Sequence, residues 1–210
     1  MTLPTSWDYR PAVAHLRHSA PCWAALIERI GPCTLAEDLQ TGDLLACLTE
    51  AILSQQLSSK AAATIHARLL AHYGGRPLTA QAIFHTPDEV LRAVGLSRPK
   101  VGYLKDLAQR VEQGLPSLES LATWEDERII QTLTAIRGVG RWTVEMLLIF
   151  RLHRPDVWPV DDLGLRTALQ RLLALPERPS PCQAQDLGRP WQPYRTLAAW
   201  YLWRSLDLPT

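Results

Sequence analysis

Apolar residues along this chain recur at intervals of three and four rather than two, a spacing that predicts helices almost from end to end. Over 22–30, Trp23, Leu26, Ile27 and Ile30 fall on one face; Pro21 suits the first turn and Gly31-Pro32 ends it. The same periodicity predicts helices over 44–55, 59–73, 79–83, 87–94, 100–113, 125–134, 141–151, 161–173 and 193–206. Gly74-Gly75-Arg76-Pro77, Gly114-Leu115-Pro116 and the proline-rich run from Pro176 to Pro181 interrupt it as turns, each too short for a flexible linker. No segment alternates apolar and polar residues over the length a strand needs. The expected fold class is all-α, without internal repeats or low-complexity tracts.

Composition narrows the class further. Hydrophobic residues make up 47% of the 210, enough to bury a sizeable core. No stretch approaches the roughly 18 apolar residues of a membrane span, and Met1 to Asp8 lacks the basic start and apolar run of a secretion signal. A soluble, cytoplasmic protein is expected, with no membrane partner. Cys22, Cys33, Cys47 and Cys182 are scattered without CxxC spacing, which predicts reduced thiols rather than a disulfide framework or a zinc site. The six histidines show no metal-ligand spacing either. With 22 basic and 21 acidic residues the net charge is +1, so bulk electrostatics does not announce a nucleic-acid binder. Locally the balance differs, with Arg137, Arg141, Arg151 and Arg154 around one turn and Arg98, Lys100 and Lys105 around another. Any one of these alone would read as a solvated helix face.

The pattern that carries chemistry begins at Leu133, where the chain reads LTAIRGVGRWTVE to Glu145. A helix runs into Gly138-Val139-Gly140, and a second helix starts at Arg141 with apolar positions continuing to Phe150. This is a helix-hairpin-helix at about 133–145. Two glycines around one apolar residue let the backbone turn sharply and approach a ligand, while the next helix begins with N–H groups that lack intrahelical acceptors. Such an amide cluster at a positive dipole end suits a phosphate. Twenty positions past Trp142 lies Asp162, the second of an aspartate pair that follows Trp158-Pro159-Val160 and precedes a predicted helix. Adjacent aspartates before a helix ordinarily cap it.

The segments GVGRWT and WPVDDLGLR resemble the helix-hairpin-helix superfamily of base-excision DNA glycosylases, the AlkA type (3-methyladenine DNA glycosylase II) in particular. AILSQQLS at 51–58, GLSRPK at 95–100 and WQPYR at 191–195 match the same family's pattern in order, so the resemblance runs from about residue 20 onward. It implies two helical lobes, one continuous over 44–154 and one assembled from 1–43 and 155–210, with a cleft between them for the base. It also implies a compact form without the extra N-terminal α/β domain of many AlkA proteins. The activity implied is that of a monofunctional DNA glycosylase acting on double-stranded DNA. It would flip out alkylated bases of the 3-methyladenine and 7-methylguanine type, with ethenoadenine or other bulky adducts in reach, and hydrolyse the N-glycosidic bond to leave an abasic site.

The resemblance assigns residues to that chemistry. Cleavage builds oxocarbenium character on the sugar and calls for a fixed negative charge near C1′. Asp162 aligns with the family's catalytic aspartate, which leaves Asp161 to cap or support the helix. Trp142 and Trp203 match aromatic positions that line the base pocket, and Met146 stands where AlkA has a bulkier tyrosine. Electron-rich indole suits a cationic alkylated purine, whereas Trp158 and Trp200 are expected in the core. Trp142 also occupies the position of the nucleophilic lysine of bifunctional relatives, and an indole cannot form a Schiff base. A flipped base leaves a gap that a side chain fills. Gln56 matches the family's plug leucine, Gln55 is its rival, and both are also what the end of a helix would carry. DNA contacts are expected from Gln55, Gln56, Ser97, Lys100, Gly138, Val139, Gly140, Arg141 and Thr143. The backbone carbonyls of Thr134, Ile136 and Val139 match positions that hold a monovalent cation, sodium or potassium, when DNA is bound. No cofactor is required; only Cys182 lies beyond the hairpin, too few cysteines there for the iron–sulfur cluster of some relatives. A monomer is expected. A non-catalytic helix-hairpin-helix DNA-binding module is the competing class. It needs only the hairpin and leaves the offset of Asp162, the late tryptophans and the Gln-Gln turn unexplained.

Overall fold

The computed structural model describes residues 8–35 and 43–208, and every regular element among them is helical, as the periodicity predicts. In order they are α1 (Arg10–Ser19), α2 (Pro21–Ile30), α3 (Leu44–Ser54), α4 (Ser59–His72), α5 (Ala80–His85), α6 (Asp88–Ala93) and α7 (Arg98–Glu112). After them come α8 (Leu118–Leu121), α9 (Asp126–Thr134), α10 (Arg141–Phe150), α11 (Leu163–Leu172), α12 (Pro181–Leu187), a 3-10 turn at Arg189–Trp191 and α13 (Arg195–Ser205). The chain divides into two compact units, Met1–Gln40 with Glu145–Thr210, and Thr41–Val144. The second division falls inside α10 rather than at the expected 154, because residues past Glu145 pack with the C-terminal helices. Phe150 stacks on Trp203, and the Arg154 carbonyl accepts from the Thr196 hydroxyl at 2.6 Å. Of the lobe expected from 1–43 and 155–210, residues 1–7, 36–42 and 209–210 lie outside the described residues.

In the continuous unit α3 is apolar almost all round and buries Leu44, Leu45, Cys47, Leu48, Thr49, Ile52 and Leu53, as a central helix does. Helix α7 packs against α3 and α5, with Leu104 and Leu107 fully buried. Burial of each such leucine contributes about 1.5–3 kcal/mol. Side-chain caps start several of these helices: Asp43 accepts from the Ala46 amide at 2.9 Å, and Ser58, Thr79 and Ser117 do the same for α4, α5 and α8. Each cap is worth about 1 kcal/mol.

The unit built from both ends centres on α13, buried from Thr196 to Leu202 and packed against α2 and α11. Trp23 meets Trp191 edge-on with centroids 4.9 Å apart, and Trp191 meets Trp158 at 5.3 Å. The Trp158 indole donates to the Ala184 carbonyl at 2.9 Å, so its polar end is satisfied inside the core. Gly188 is dictated by this packing, since a Cβ there would lie 2.4 Å from the Trp158 ring nitrogen. Trp158 and Trp200 are core residues, as expected. Arg195 grips Asp156 through two side-chain bonds of 2.7 and 2.9 Å, which anchors the start of α13.

Three helices escape the periodicity: α1, α12 and α8, a single turn of four residues with only Leu121 buried. Helix α1 buries only Ala12 and Leu16, too sparse an apolar stripe to register. Helix α12 starts at Pro181, read from the sequence as part of a turn. Proline fits the first helical position, and Ser180 with Gln183 forms a reciprocal capping box there. Helix α11 begins at Leu163, not at Asp161.

Candidate functional site

In the continuous unit, the turn between α9 and α10 is closed by the Ile136 amide on the Leu133 carbonyl and the Val139 amide on the Ile136 carbonyl, both at 3.1 Å. Ile136 therefore already accepts one bond at a position expected to face a cation. Gly138 is left-handed with φ +82°, and a Cβ on it would lie 2.3 Å from the Tyr103 ring. Gly140 is different. Nothing lies within 4 Å of a Cβ built there, and its carbonyl opens α10 by accepting from the Val144 amide at 3.2 Å. The two glycines, treated alike in the sequence, thus have separate reasons: Gly138 shapes the turn, and Gly140 keeps the approach to the start of α10 open. Open space at a helix N-terminus is what a bound phosphate requires.

Val139 and Thr143 are buried, so a DNA contact at either can come only from the backbone. Arg141 is exposed and pairs with Glu127 on α9, and the guanidinium holds that carboxyl below the usual carboxylate range. Asp106 on α7 had no motif to mark it. It accepts from the Arg137 amide at 2.9 Å and from the Arg110 side chain at 3.0 Å, bracing the hairpin from below. Burial pushes the Asp106 pKa up, but the bonds from Arg137 and Arg110 together outweigh it and bring the pKa below the usual value.

The Gln-Gln turn lies in the same unit. Gln55 ends α3, and its side-chain amide donates to the Gly138 carbonyl at 2.7 Å, so sequence motifs 83 residues apart are joined by one bond. Gln56 is exposed with a left-handed φ of +57°. Leu57 beside it, not singled out in the sequence, is 41% exposed. Lys100, expected among the DNA contacts, donates from its ammonium to the Leu53 and Gln55 carbonyls, each at 2.7 Å. Ser97 is exposed at the N-terminal end of α7.

In the unit built from both ends, Asp162 precedes α11 and its Oδ1 accepts two bonds, from the Leu165 amide at 2.6 Å and from the Trp203 indole at 2.9 Å. The cap is therefore Asp162, not Asp161, which is exposed. Capping thus falls on the same carboxylate that the sequence resemblance singles out for chemistry. Gly164 lets the group sit this close, since a Cβ there would meet Oδ1 at 3.2 Å and the Trp203 ring at 3.5 Å. Phe150 stacks on Trp203 with centroids 6.1 Å apart and planes 25° from parallel, so it orients the indole that orients the carboxylate. A phenylalanine at a helix end carries no sequence signal for this task. Trp142, 47% exposed, and Met146, half-buried, are four residues apart and share one face of α10. Among the described residues no group of three His, Cys, Asp or Glu side chains is placed to hold a metal ion.

Residues 49–193 match the HhH-GPD superfamily of base excision DNA repair proteins, and the chain belongs to that family. The matched span starts inside α3 and takes in the Gln-Gln turn, the hairpin and Asp162. The chain is 38% identical over 200 residues to DNA-3-methyladenine glycosylase 1 of Schizosaccharomyces pombe, across 94% of its own length and 87% of that relative. Its fold is similar to that of the Schizosaccharomyces pombe 3-methyladenine DNA glycosylase solved in complex with abasic DNA. There the TM-score is 0.83 at 36% identity, over 94% of this chain and 97% of that one. A DNA-3-methyladenine glycosidase from Bacillus halodurans matches with a TM-score of 0.73 at 30% identity, over 89% of each chain.

Proposed function

We propose that this protein is a monofunctional DNA glycosylase. It removes alkylated bases of the 3-methyladenine and 7-methylguanine type from double-stranded DNA and leaves an abasic site. The observation that carries the reading is the Asp162 carboxylate, held in one orientation by the Leu165 amide and the Trp203 indole. A charge fixed before reaction need not reorganise as the sugar becomes cationic, which is how electrostatic stabilisation lowers a barrier. The reacting sugar meets this carboxylate, which also steers the attacking water. An alkylated purine is already positively charged and leaves as a neutral base, so no strong general acid is needed. For the same reason the reaction calls for no metal or other cofactor, and a chelator should leave it unchanged.

The base stacks on the Trp203 indole beside that carboxylate, where a cationic ring gains most. The start of α10 beyond Gly140 takes a backbone phosphate, and Gln56 fills the space left by the flipped nucleotide. Similarity to a glycosylase solved on abasic DNA supports the product assignment. The test is release of free base from N-methylated duplex DNA, resolved by chromatography. Release of 3-methyladenine and 7-methylguanine by the native protein, lost in Asp162→Asn, is the expected result. Binding to abasic DNA without release of any base would instead make the protein a non-catalytic DNA-binding module.

A further inference from the structure

Lys100 lies in the first turn of α7, at the positive end of that helix, where a cation is disfavoured. Its compensation is the C-terminal end of α3, where the Leu53 and Gln55 carbonyls each accept from Nζ at 2.7 Å. The Ser54 hydroxyl on the Ala51 carbonyl at 3.0 Å and the Leu57 amide on the Ser54 carbonyl at 3.1 Å complete this helix end. Gln55 then leaves the helix, and its side chain reaches the Gly138 carbonyl at 2.7 Å. The next residue, Gln56, is left-handed, a conformation that a glutamine keeps only where its surroundings over-determine it. Its side chain and that of Leu57 are exposed at the tip of the turn.

The geometry assigns Lys100 and Gln55 as positioning residues, a clamp that holds the strained Gln56-Leu57 tip in fixed register with the hairpin. With the clamp made, the tip enters the duplex gap as the hairpin takes the phosphate backbone, and no loop has to be ordered at that moment. This inference rests on the glycosylase reading and deepens it. A charged donor suits the task because it satisfies two carbonyls at once. Burial pushes the Lys100 pKa down.

Two measurements test the clamp. The first is amide hydrogen exchange of the free protein, which needs no DNA. Lys100→Met should speed exchange of the Leu57 amide about tenfold or more while the amides of Leu104 and Leu107 stay protected, and Lys100→Arg should restore part of the protection. The second is single-turnover excision of one lesion placed opposite either its normal partner or an abasic site, where unstacking is already easy. Lys100→Met and Gln55→Leu should slow excision from the fully paired duplex by roughly 10- to 100-fold, the scale of a misplaced reacting geometry. The abasic-opposed substrate should lose less than about threefold, as should affinity for undamaged duplex. Gln56→Ala should share this substrate dependence, and adding Lys100→Met to it should do no further harm. Equal losses on both substrates, or unchanged exchange at Leu57, would overturn the clamp. A native protein that excises nothing from either substrate would sink the glycosylase reading, and the exchange measurement would still decide whether Lys100 holds the tip.

Discussion

At Asp162 the helix cap and the proposed chemistry use the same carboxylate, so substitutions have to separate them. Asparagine caps a helix as well as aspartate does and can still accept from the Trp203 indole. Asp162→Asn is therefore expected to unfold at nearly the native temperature while base excision falls by roughly two to four orders of magnitude. Asp162→Ala should lose about 1 kcal/mol of stability as well, from the missing cap. Asp161→Asn should do little in either measurement, and equal losses of excision at the two positions would contradict the assignment. The glycines separate in the same way. Gly138→Ala puts a side chain into a left-handed backbone and into the Tyr103 ring, a loss of about 2–4 kcal/mol in denaturant unfolding. Gly140→Val meets no neighbour, so the fold should keep its stability. Its affinity for all duplexes alike should drop, with a shallower dependence on salt, as expected when a phosphate contact is lost.

Among the elements, the hairpin depends on α7 as much as on its own glycines. Asp106 takes the Arg137 amide and the Arg110 guanidinium, and its pKa lies below the usual carboxylate value. A carboxyl with a depressed folded pKa adds stability above its unfolded value of about 3.9, and that contribution disappears as pH falls through the folded pKa. Urea unfolding across pH 2 to 6 should therefore show a loss of stability below about pH 4 that is smaller in Asp106→Ala. The variant should also start about 1–3 kcal/mol less stable at neutral pH, because the Arg137 amide loses a charged partner. An identical acid profile in the two proteins would remove Asp106 from this role. Helices with a sustained apolar pattern, α3 almost all round and α9 along one face, were legible in the sequence to within a residue or so. Helix α12 was not, because its proline and serine serve a turn and a helix N-terminus equally well.

For the whole molecule the reaction type follows from which amines are available. With an indole at Trp142, where the sequence resemblance would put the nucleophilic lysine of bifunctional relatives, and the Lys100 ammonium engaged by two carbonyls, borohydride should trap no enzyme–DNA adduct. Product strands should stay intact until heated in alkali; a trapped adduct would reveal another nucleophile. Substrate range follows from the side chains that α10 presents. Met146 is a flexible thioether on the same helix face as Trp142 and can yield to a ring-extended base where a rigid phenol cannot. Met146→Tyr should accordingly reduce excision of ethenoadenine more than that of 3-methyladenine. Parallel losses on defined duplexes would show that width at this position does not set the range.

The sequence by itself determined the all-α class, because burial on one face imposes a period that the chain carries in plain order. It also located the hairpin and marked the aspartate pair, since glycines and fixed spacings are local signals. Tertiary structure alone decided how those pieces are held. Asp162 is oriented by Trp203 from 41 residues away, Gln55 reaches Gly138 across 83, and Lys100 finds the Leu53 carbonyl across 47. Contacts over such separations leave no periodic trace, so a lysine at a helix start reads only as a DNA contact, and its bonds to the end of another helix are visible in the fold alone. The resemblance singled out Asp162 of the two adjacent aspartates, but that this same residue caps α11 was out of reach, because it turns on which one precedes the first turn of α11 and lies within reach of an indole on α13.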